Sequence, residues 1–310
     1  MDILIILSLA LAIDLALGEP PRVIHPVVWM GKMASLLGKG AAGHSSRVQF
    51  LYGLGMVLIT LGVFVVSAYF LLFYLKGLSF VAYVVVGAVL LKTTFSLRGL
   101  WRAARNVRRL LLENKLTEAR FELRSLVSRD TTNLDEGHLV SATVESVAEN
   151  SSDSFVAPLF YFLLFGVPGA VAYRVVNTFD TMIGYHGQWE YLGKFAARLD
   201  DVVNYLPARF TALMIVITAW MYRKDVSGAC RVMLRDHNKT QSPNAGWIMS
   251  AAAGSLGVQL EKVGHYKLGD NRYRLSPETI GASLQVMGAV ALVWSLVCIS
   301  VGGVCFVLTA

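Results

Sequence analysis

Long apolar segments alternate with polar segments along the chain. Six apolar segments approach or exceed the ~18 residues that a helix needs to cross a bilayer: 3–17, 51–75, 78–97, 155–176, 205–222 and 285–308. Polar loops separate them. This pattern predicts an all-α fold, namely a polytopic helical membrane protein with about five to seven apolar helices and amphipathic cytoplasmic helices.

The first apolar segment is the shortest of the six and contains Asp14. A secretory signal peptide is the alternative interpretation of this segment. However, Met1-Asp2 is not a basic leading region, and Gly18-Glu19-Pro20-Pro21 is not a small-residue cleavage site. We therefore expect the segment to be retained as a helix.

The fourth apolar segment contains residues that disfavour a straight helix. Pro158 lies near its start, and the run Gly166-Val167-Pro168-Gly169 lies in its middle. Proline removes a backbone hydrogen bond and clashes with the preceding turn. The segment 155–176 is therefore predicted to be broken or re-entrant, and such backbone persists at membrane depth only where protein or water covers it.

Composition agrees with a membrane protein, since 55% of the residues are hydrophobic and 16% are charged, whereas about a quarter of a soluble domain is charged. The formal net charge is +7. Two explanations stay open for this excess: cytoplasmic loops that face anionic lipid, which composition favours, and a basic pocket for phosphorylated substrates. We expect membrane lipid to be a partner and nucleic acid not to be one.

The stretch 98–129 is the most basic part of the chain. At about 100° per residue, four arginines share one helical face: Arg98, Arg102, Arg105 and Arg109. Four apolar residues lie opposite: Leu100, Ala104, Val107 and Leu111. The spacing predicts an amphipathic basic helix on anionic headgroups, and the alternative is that some arginines bind substrate phosphate.

A dense polar block follows the basic stretch. Asn133, with Glu136 three residues later, predicts an N-cap and capping box at the start of a helix. On that helix His138, Glu145 and Glu149 share one face, while valines lie opposite. The polar stripe is interpreted either as a solvated face or as a functional site.

Short oxygen-bearing side chains continue this block in the run Asn150-Ser151-Ser152-Asp153. Polar groups next to a bilayer are costly unless they are solvated or paired, so a dense cluster there is a candidate site. Carboxylates with hydroxyl and amide oxygens suit a hard Mg²⁺ ion that carries phosphates. Glu145, Glu149 and Asp153 are therefore candidate metal ligands.

A second polar block lies between the fourth and fifth apolar segments and continues into the fifth. Its candidate site residues are Arg174, Asn177, Asp180, Tyr185, Arg198, Asp200, Asp201, Asn204 and Arg209. Asp200 and Asp201 are adjacent, so on a helix their side chains point about 100° apart and do not automatically chelate a cation. Neutralisation of both by Arg198 or Arg209 stays an alternative.

A turn-rich run, Ser242-Pro243-Asn244-Ala245-Gly246-Trp247, precedes a stretch of small residues. Proline and asparagine both favour turns, so a structural loop is the default interpretation. Ser242 and Asn244 are retained as candidates because their hydroxyl and amide groups can orient a substrate.

Topology cannot be fixed by counting charges alone. The loops 98–154 and 223–284 are rich in lysine and arginine, which places both in the cytoplasm. Strict counting then places 177–204 on the other side, although a single site needs its polar loops on one side. Either one apolar segment does not cross, or the site reaches into the membrane. We expect one integral membrane domain over 1–310, in the cell membrane, with these three loops forming a site that faces the cytoplasm.

Several short runs together resemble a known family. They are Gly18-Glu19-Pro20 with His25-Pro26-Val27; Arg129-Asp130-Thr131; Glu145-Ser146-Val147-Ala148-Glu149-Asn150 with Asp153; Ala157-Pro158-Leu159-Phe160-Tyr161; Asn177-Thr178-Phe179-Asp180-Thr181-Met182 with Gly184-Tyr185; Ala197-Arg198-Leu199-Asp200-Asp201-Val202 with Asn204; Pro207-Ala208-Arg209; and Ser242-Pro243-Asn244. In order and spacing they resemble the adenosylcobinamide-phosphate synthase family of cobalamin-biosynthesis membrane proteins, or cobyric acid–aminopropanol ligases. The resemblance extends over about residues 14–275.

The resemblance implies amide formation between a propionate carboxylate of (adenosyl)cobyric acid and an amino alcohol, usually 1-amino-2-propanol or its phosphate. The implied product is cobinamide or its phosphate. Mg²⁺ and ATP are implied as cofactor and co-substrate, and the corrinoid and amino-alcohol phosphate as small-molecule partners. The sequence has no Walker-A loop, so a nucleotide would bind in another way. The oligomeric state and the choice of amino alcohol stay open.

For this reaction the acids are assigned to metal binding or proton transfer: Glu145, Glu149, Asp153, Asp180, Asp200 and Asp201. Cationic and polar residues are assigned to substrate binding: Arg129, Asp130, His138, Asn150, Arg174, Asn177, Tyr185, Arg198, Asn204, Arg209, Ser242 and Asn244.

Two other classes of function stay open on the sequence. A transporter or carrier of corrinoids is favoured by the polytopic pattern with a broken central segment, although the chain has no inverted repeat. A non-catalytic membrane anchor for corrin enzymes would use the basic helix. A carrier makes no amide bond, and an anchor tolerates loss of the candidate acids, so turnover separates these classes from a ligase.

Overall fold

The fold is almost entirely helical. The computed structural model describes residues 2–41, 44–184 and 190–309, and 78% of it is helical. Helices α1 to α14 are Asp2–Ala16, Pro26–Gly38, Ser46–Leu61, Ser67–Leu78, Phe80–Lys92, Leu97–Leu112, Leu116–Leu123, Glu136–Ser151, Ala157–Ile183, Glu190–Val203, Tyr205–Met221, Val226–Asp236, Ala245–Leu256 and Pro277–Thr309. One antiparallel hairpin joins β1, Gln259–Lys262, to β2, Tyr266–Gly269.

Several helices run on from one another and become long enough to cross a membrane. Wider helical turns at Gly62–Val66 and Ser152–Val156 join α3 to α4 and α8 to α9. In the described part of the chain, four helices are long and apolar enough to span a bilayer: Ser46–Leu78, Phe80–Leu112, Glu136–Ile183 and Pro277–Val304. The pair α10–α11, bent by 48°, is a fifth if it counts as one span. The predicted class of all-α membrane protein is confirmed, and the first predicted segment forms the 15-residue α1.

The predicted break in the fourth apolar segment is confirmed within α9. Gly166 has a φ of 67° and a ψ of −161°, a conformation that favours glycine because a Cβ would clash. Tyr161 and Tyr173 stack with their ring centroids 5.5 Å apart, whereas twelve residues of straight helix would separate their backbones by about 18 Å. The chain therefore doubles back near Gly166.

The described chain forms two compact units of non-contiguous segments. Unit 1 comprises Met1–Ser96, Ala157–Val203 and Val297–Ala310, and unit 2 comprises Leu97–Val156 and Asn204–Leu296. In unit 1, α1 packs along α5, α2 packs on α9, and α10 packs against both α3 and α9. In unit 2, α8, α11 and α12 pack on α13, and the hairpin covers α8 and α13. A single integral membrane domain stays a prediction.

A buried ion pair joins two helices of unit 1 that are distant in sequence. Lys92 of α5 is 2% exposed, and its Nζ lies 3.1 Å from Oδ1 of Asp14 on α1, which is 1% exposed. The same ammonium donates to Glu19 Oε1 at 2.9 Å and to the Phe95 carbonyl at 3.1 Å. A buried charge is costly unless it is paired, so this contact fixes α1 against α5.

The loop after α1 is held by the same network. Glu19 Oε2 lies 2.9 Å from His25 Nε2, while His25 Nδ1 accepts from the Val27 amide at the start of α2. Burial alone would raise the pKa of Glu19, but hydrogen bonds with His25, Ser96 and Lys92 outweigh burial and lower the pKa to about 2. Glu19 is therefore ionised at neutral pH and ties the loop to Lys92.

Very close backbone packing places α10 in unit 1. A Cβ on Gly193 would overlap the Ile183 carbonyl at the end of α9, and a Cβ on Gly53 of α3 would overlap the Leu192 carbonyl. Glycine is required at both positions because no side chain fits between the helices. This packing sets the position of the acidic end of α10 relative to α9.

In unit 2 the predicted amphipathic helix is confirmed as α6. Its buried residues are the four predicted ones: Leu100, Ala104, Val107 and Leu111. Its predicted arginine face is exposed at three positions and half-buried at Arg98. The apolar face packs on α7 and α8, so the 3.6-residue period correctly identified the side that faces protein.

The start and the surroundings of α8 differ from the expectation. The predicted cap at Asn133 is wrong, because α8 starts at Glu136 and Asp135 Oδ1 accepts from the His138 amide at 2.8 Å. The alternative of a solvated polar face does not hold at Glu145, which lies within the ten consecutive buried residues 139–148, whereas His138 and Glu149 are half-buried. Helices α6, α7 and α13 and the hairpin cover α8 together.

We predict that Lys92→Met destabilises the protein by about 3–5 kcal/mol, because it leaves the buried Asp14 carboxylate without its cation. Thermal or denaturant unfolding of detergent-purified protein measures the loss. Lys76→Met is the matched control, since Lys76 is 60% exposed and pairs with Asp2, and it should cost less than about 1 kcal/mol. Equal losses for the two variants would contradict the role of Lys92.

We predict that Gly193→Ala lowers the free energy of unfolding by about 1–3 kcal/mol, because the new methyl group pushes α10 away from α9. The control is Gly55→Ala in α3, where a Cβ meets nothing within 4 Å. That change should be neutral or stabilise by up to about 1 kcal/mol. A Gly193→Ala protein as stable as the wild type would refute the close approach.

Candidate functional site

The carboxylate of Glu145 is the centre of a buried hydrogen-bond cluster in unit 2. Arg129 Nη2 lies 3.1 Å from Glu145 Oε2, and the Tyr266 hydroxyl donates to the same oxygen at 2.9 Å. The Ser141 hydroxyl donates to Glu145 Oε1 at 2.7 Å. Glu145 is 5% exposed, and the Arg129 side chain is 19% exposed. Both carboxylate oxygens are therefore engaged, and one of them faces a guanidinium.

Helix α8 and the hairpin bring these groups together. Ser141 and Glu145 are four residues apart on α8, a spacing that places two side chains side by side. The Glu261 amide of β1 donates to Ser141 Oγ at 2.7 Å. In the hairpin register Tyr266 of β2 pairs with Lys262, which follows Glu261 in β1. The hairpin therefore places the Tyr266 hydroxyl against Glu145 of α8, although the two residues are 121 positions apart in the chain.

Tyr266 acts as a hydrogen-bond donor in this cluster. Burial raises the pKa of the phenol, and the negative charge of Glu145 raises it further, with a smaller contribution from Glu149. The phenol is therefore protonated at neutral pH and donates a hydrogen bond to the carboxylate. The sequence analysis did not identify Tyr266 or Ser141. Tyr266 lies beside Glu145 only because the hairpin packs on α8, whereas the four-residue spacing of Ser141 and Glu145 on one helix was a signal that could have identified Ser141.

The other acids of the first polar block do not form a three-ligand metal site with Glu145. In the described residues, no group of three histidine, cysteine, aspartate or glutamate side chains is arranged to hold a metal ion. Glu145, Glu149 and Asp153 thus do not form the expected three-carboxylate site, since Glu145 faces Arg129 and Tyr266. A Mg²⁺ ion that arrives on phosphates needs only one or two protein carboxylates, and binding of such an ion by Glu149 and Asp153 stays a prediction.

Three other candidates of this block take part in local structure. Asp130 accepts from the Thr132 amide at 3.0 Å and from its hydroxyl at 2.7 Å, and these bonds lower the pKa of the carboxyl. The His138 ring contacts the capping Asp135 carboxylate at 2.7 Å. Asn150 donates to the Ser146 carbonyl at 3.0 Å. Their substrate contacts stay predictions.

A second polar cluster lies in unit 1, where α9 meets α10. Arg174 donates to Asn177 Oδ1 at 3.1 Å, and Asn177 Nδ2 lies 3.5 Å from Asp200 Oδ1. Asp201 interacts electrostatically with Asp180 and with Arg198. The two adjacent aspartates therefore face different neighbours, as their 100° separation on a helix requires.

The structure thus unites six of the predicted residues of the second block along α9 and α10: Arg174, Asn177, Asp180, Arg198, Asp200 and Asp201. Tyr185 lies outside the described residues. Asn204 and Arg209 belong to unit 2, where Asn204 is buried and its carbonyl accepts from the Ala208 amide at 3.0 Å.

Arg209 joins α11 to the turn before α13. Its guanidinium donates to the Asn244 side chain and, at 3.3 Å, to the Pro243 carbonyl. It also lies 3.8 Å from the ring centre of Tyr205 and 5.1 Å from that of Trp247. These contacts give Arg209 and Asn244 a structural role beside the predicted binding role.

Ser242 also takes part in this turn. Its hydroxyl accepts from the Asn244 amide at 3.2 Å and from the Ala245 amide at 3.4 Å, where α13 begins. A serine that accepts from amides two and three residues later stabilises a turn and a helix start. The run therefore forms the structural turn that its proline and asparagine predict, and substrate contact by Ser242 stays a prediction.

Comparison with known proteins supplies the family. The model of the CobD/Cbib protein family matches residues 7–294. A cobalamin biosynthesis protein CobD of Dehalococcoides mccartyi (strain CBDB1) is 53% identical over 301 residues, which cover 97% of this chain and 98% of the relative. A probable cobalamin biosynthesis protein CobD of Methanothermobacter thermautotrophicus is 42% identical over 270 residues, 86% of each chain.

A further probable cobalamin biosynthesis protein CobD, from Methanocaldococcus jannaschii, is 39% identical over 272 residues, which cover 86% of this chain and 89% of the relative. No solved structure matches the chain significantly. The family model extends over nearly all of both units and includes the Glu145 cluster and the α9–α10 cluster. The chain therefore belongs to the CobD/CbiB family.

Proposed function

We propose that this protein forms an amide bond between a propionate carboxylate of (adenosyl)cobyric acid and aminopropanol or its phosphate, with ATP as co-substrate, and so yields cobinamide or cobinamide phosphate. Membership of a family whose relatives are named cobalamin biosynthesis proteins supports a role in that pathway. The observation that carries the proposal is the contact between Arg129 and the buried Glu145, one helical turn before Glu149.

The chemistry requires activation of the acid, because a free carboxylate does not accept an amine at neutral pH. In the proposed route a propionate oxygen attacks the γ-phosphorus of ATP, ADP leaves, and an acyl phosphate forms. The amine nitrogen then attacks the acyl carbon, inorganic phosphate leaves, and the amine gives up one proton. The protein must therefore screen anionic oxygens and accept a proton.

The first polar block offers groups for both tasks. Arg129 is a permanent cation whose planar guanidinium suits phosphate or carboxylate oxygens. Glu149 is the proposed acceptor of the amine proton. Mg²⁺ bound through the phosphates would neutralise charge that develops on them, and Asp153 is the proposed protein ligand, which leaves Glu149 as the proton acceptor.

The α9–α10 cluster is proposed to bind the polar groups of a substrate. Arg174 and Arg198 suit anionic oxygens, and Asn177 suits amides, which cobyric acid carries around its ring. Asp180, Asp200 and Asp201, the second carboxylate set, are the acids of this cluster. ATP is abundant in the cytoplasm, which supports a site that faces the cytoplasm from the cell membrane.

A corrinoid carrier is the second candidate function. The observation that favours it is the reversal of the chain at Gly166, since interrupted helices beside polar residues are typical of transporter sites. A carrier leaves its cargo chemically unchanged, so product analysis separates the two candidates.

We predict that detergent-purified protein incubated with cobyric acid, Mg-ATP and amino-alcohol phosphates releases ADP and a corrinoid whose mass equals that of the amide. Glu149→Gln should lower the rate of amide formation at least about 100-fold, because it removes the proton acceptor. Mass spectrometry of the corrinoid and an ADP assay measure both reactions.

Glu118→Gln is the matched control, since Glu118 is an exposed acid of α7 in the same unit, and it should retain the wild-type rate. An unchanged rate for a folded Glu149→Gln protein would remove Glu149 from the mechanism. Movement of unmodified corrinoid into vesicles, without any amide product, would favour the carrier.

A further inference from the structure

The three donors around Glu145 limit what this carboxylate can do. Tyr266 and Arg129 share one oxygen, and Ser141 donates to the other. A carboxylate has about four lone-pair directions, and these three donors occupy most of the directions from which a proton or a metal ion would approach. Glu145 is therefore poorly suited to act as a proton acceptor or as a metal ligand.

Arg129, unlike Glu145, is partly accessible to a ligand. A guanidinium carries five N–H donors in a fixed plane, and Glu145 receives a hydrogen bond from Nη2. The Arg129 side chain is 19% exposed, whereas that of Glu145 is 6% exposed. The ion pair thus holds one edge of the guanidinium against the buried carboxylate while part of the side chain stays accessible to a ligand.

We propose that Tyr266 and Glu145 are positioning residues that hold Arg129 as the receptor for an anionic oxygen group, either phosphate or carboxylate, of a substrate. The proposal rests on the proposed function, because it names the role of each group in that site. Glu145 orients Arg129, Tyr266 orients Glu145, and proton transfer falls to a different acid.

The hairpin positions Tyr266 for this role. The Glu261 amide donates to Ser141 and the Tyr266 hydroxyl donates to Glu145. The hairpin is therefore hydrogen-bonded to two adjacent turns of α8. The phenol is mostly buried and its pKa is raised by burial and by Glu145, so it neither donates its proton to a base nor carries charge. Removal of this hydroxyl alone takes away one hydrogen bond that orients the Glu145 carboxylate, while the ring packing and the charge of the site stay unchanged.

The test is Tyr266→Phe in full-length protein purified in detergent. Tyr273→Phe is the matched control, since Tyr273 lies in the same unit and is 69% exposed. We expect Tyr266→Phe to raise the KM of one anionic substrate about tenfold, as befits loss of one hydrogen bond to a charged group, and to change kcat less than about threefold. Arg129→Lys should raise the same KM.

Separate titrations identify the anion. An increase in KM confined to cobyric acid assigns Arg129 to a carboxylate, and an increase confined to ATP or to the amino-alcohol phosphate assigns it to a phosphate. Either result supports the inference. A folded Tyr266→Phe protein with every KM unchanged, or with reduced kcat and unchanged KM values, overturns it, because the hydroxyl then does not act through substrate binding.

Equilibrium dialysis of the same three compounds separates this inference from the proposed reaction. If the wild type forms no amide but binds one of the compounds, and Tyr266→Phe binds it about tenfold more weakly, the reaction is refuted and the positioning role stands. Equal binding by the wild type and Tyr266→Phe, or no binding by either protein, overturns the positioning role. The thermal midpoints of both variants verify that they are folded.

Discussion

Pairing of buried charges is the constraint on which both units depend. An apolar helical scaffold offers little water to a charge, so each buried ion needs a partner of opposite charge or several hydrogen bonds. In unit 1 the ion is Lys92, which ties α5 to Asp14 of α1. In unit 2 one such ion is Glu145, which ties α8 to Arg129 and to Tyr266 of the hairpin. These few contacts join segments that are far apart in the sequence.

Helical periodicity predicted the features that depend on local sequence. The four arginines of α6 lie opposite the four buried apolar residues because a 100° step fixes the relative direction of side chains whatever the helix packs against. The break at Gly166 was predictable for a similar reason, because its causes are local. Proline fixes its own φ and lacks a backbone N–H, and glycine can adopt a positive φ. The separation of Asp200 and Asp201 follows from the same step.

Periodicity could not predict which faces are covered. The stripe of His138, Glu145 and Glu149 has the spacing of a solvated face, but the hairpin and three helices bury most of α8. The cap of α8 is Asp135 and not the predicted Asn133, and its carboxylate contacts both the amide and the ring of His138. The partners of Lys92 and Tyr266 depend on tertiary pairing, which no local pattern encodes.

The two glutamates of α8 illustrate how such a scaffold can divide its acids between structure and chemistry. An acid whose oxygens already accept several hydrogen bonds has few lone-pair directions left for a proton, whereas a proton acceptor must be able to gain and lose a proton near the working pH. One residue cannot satisfy both demands. The i, i+4 spacing of Glu145 and Glu149 places two acids on one face, so the first can hold the guanidinium while the second, one turn later, is the proposed proton acceptor. Under the proposed function, the spacing that resembles a chelating stripe instead separates a positioning acid from a reacting one.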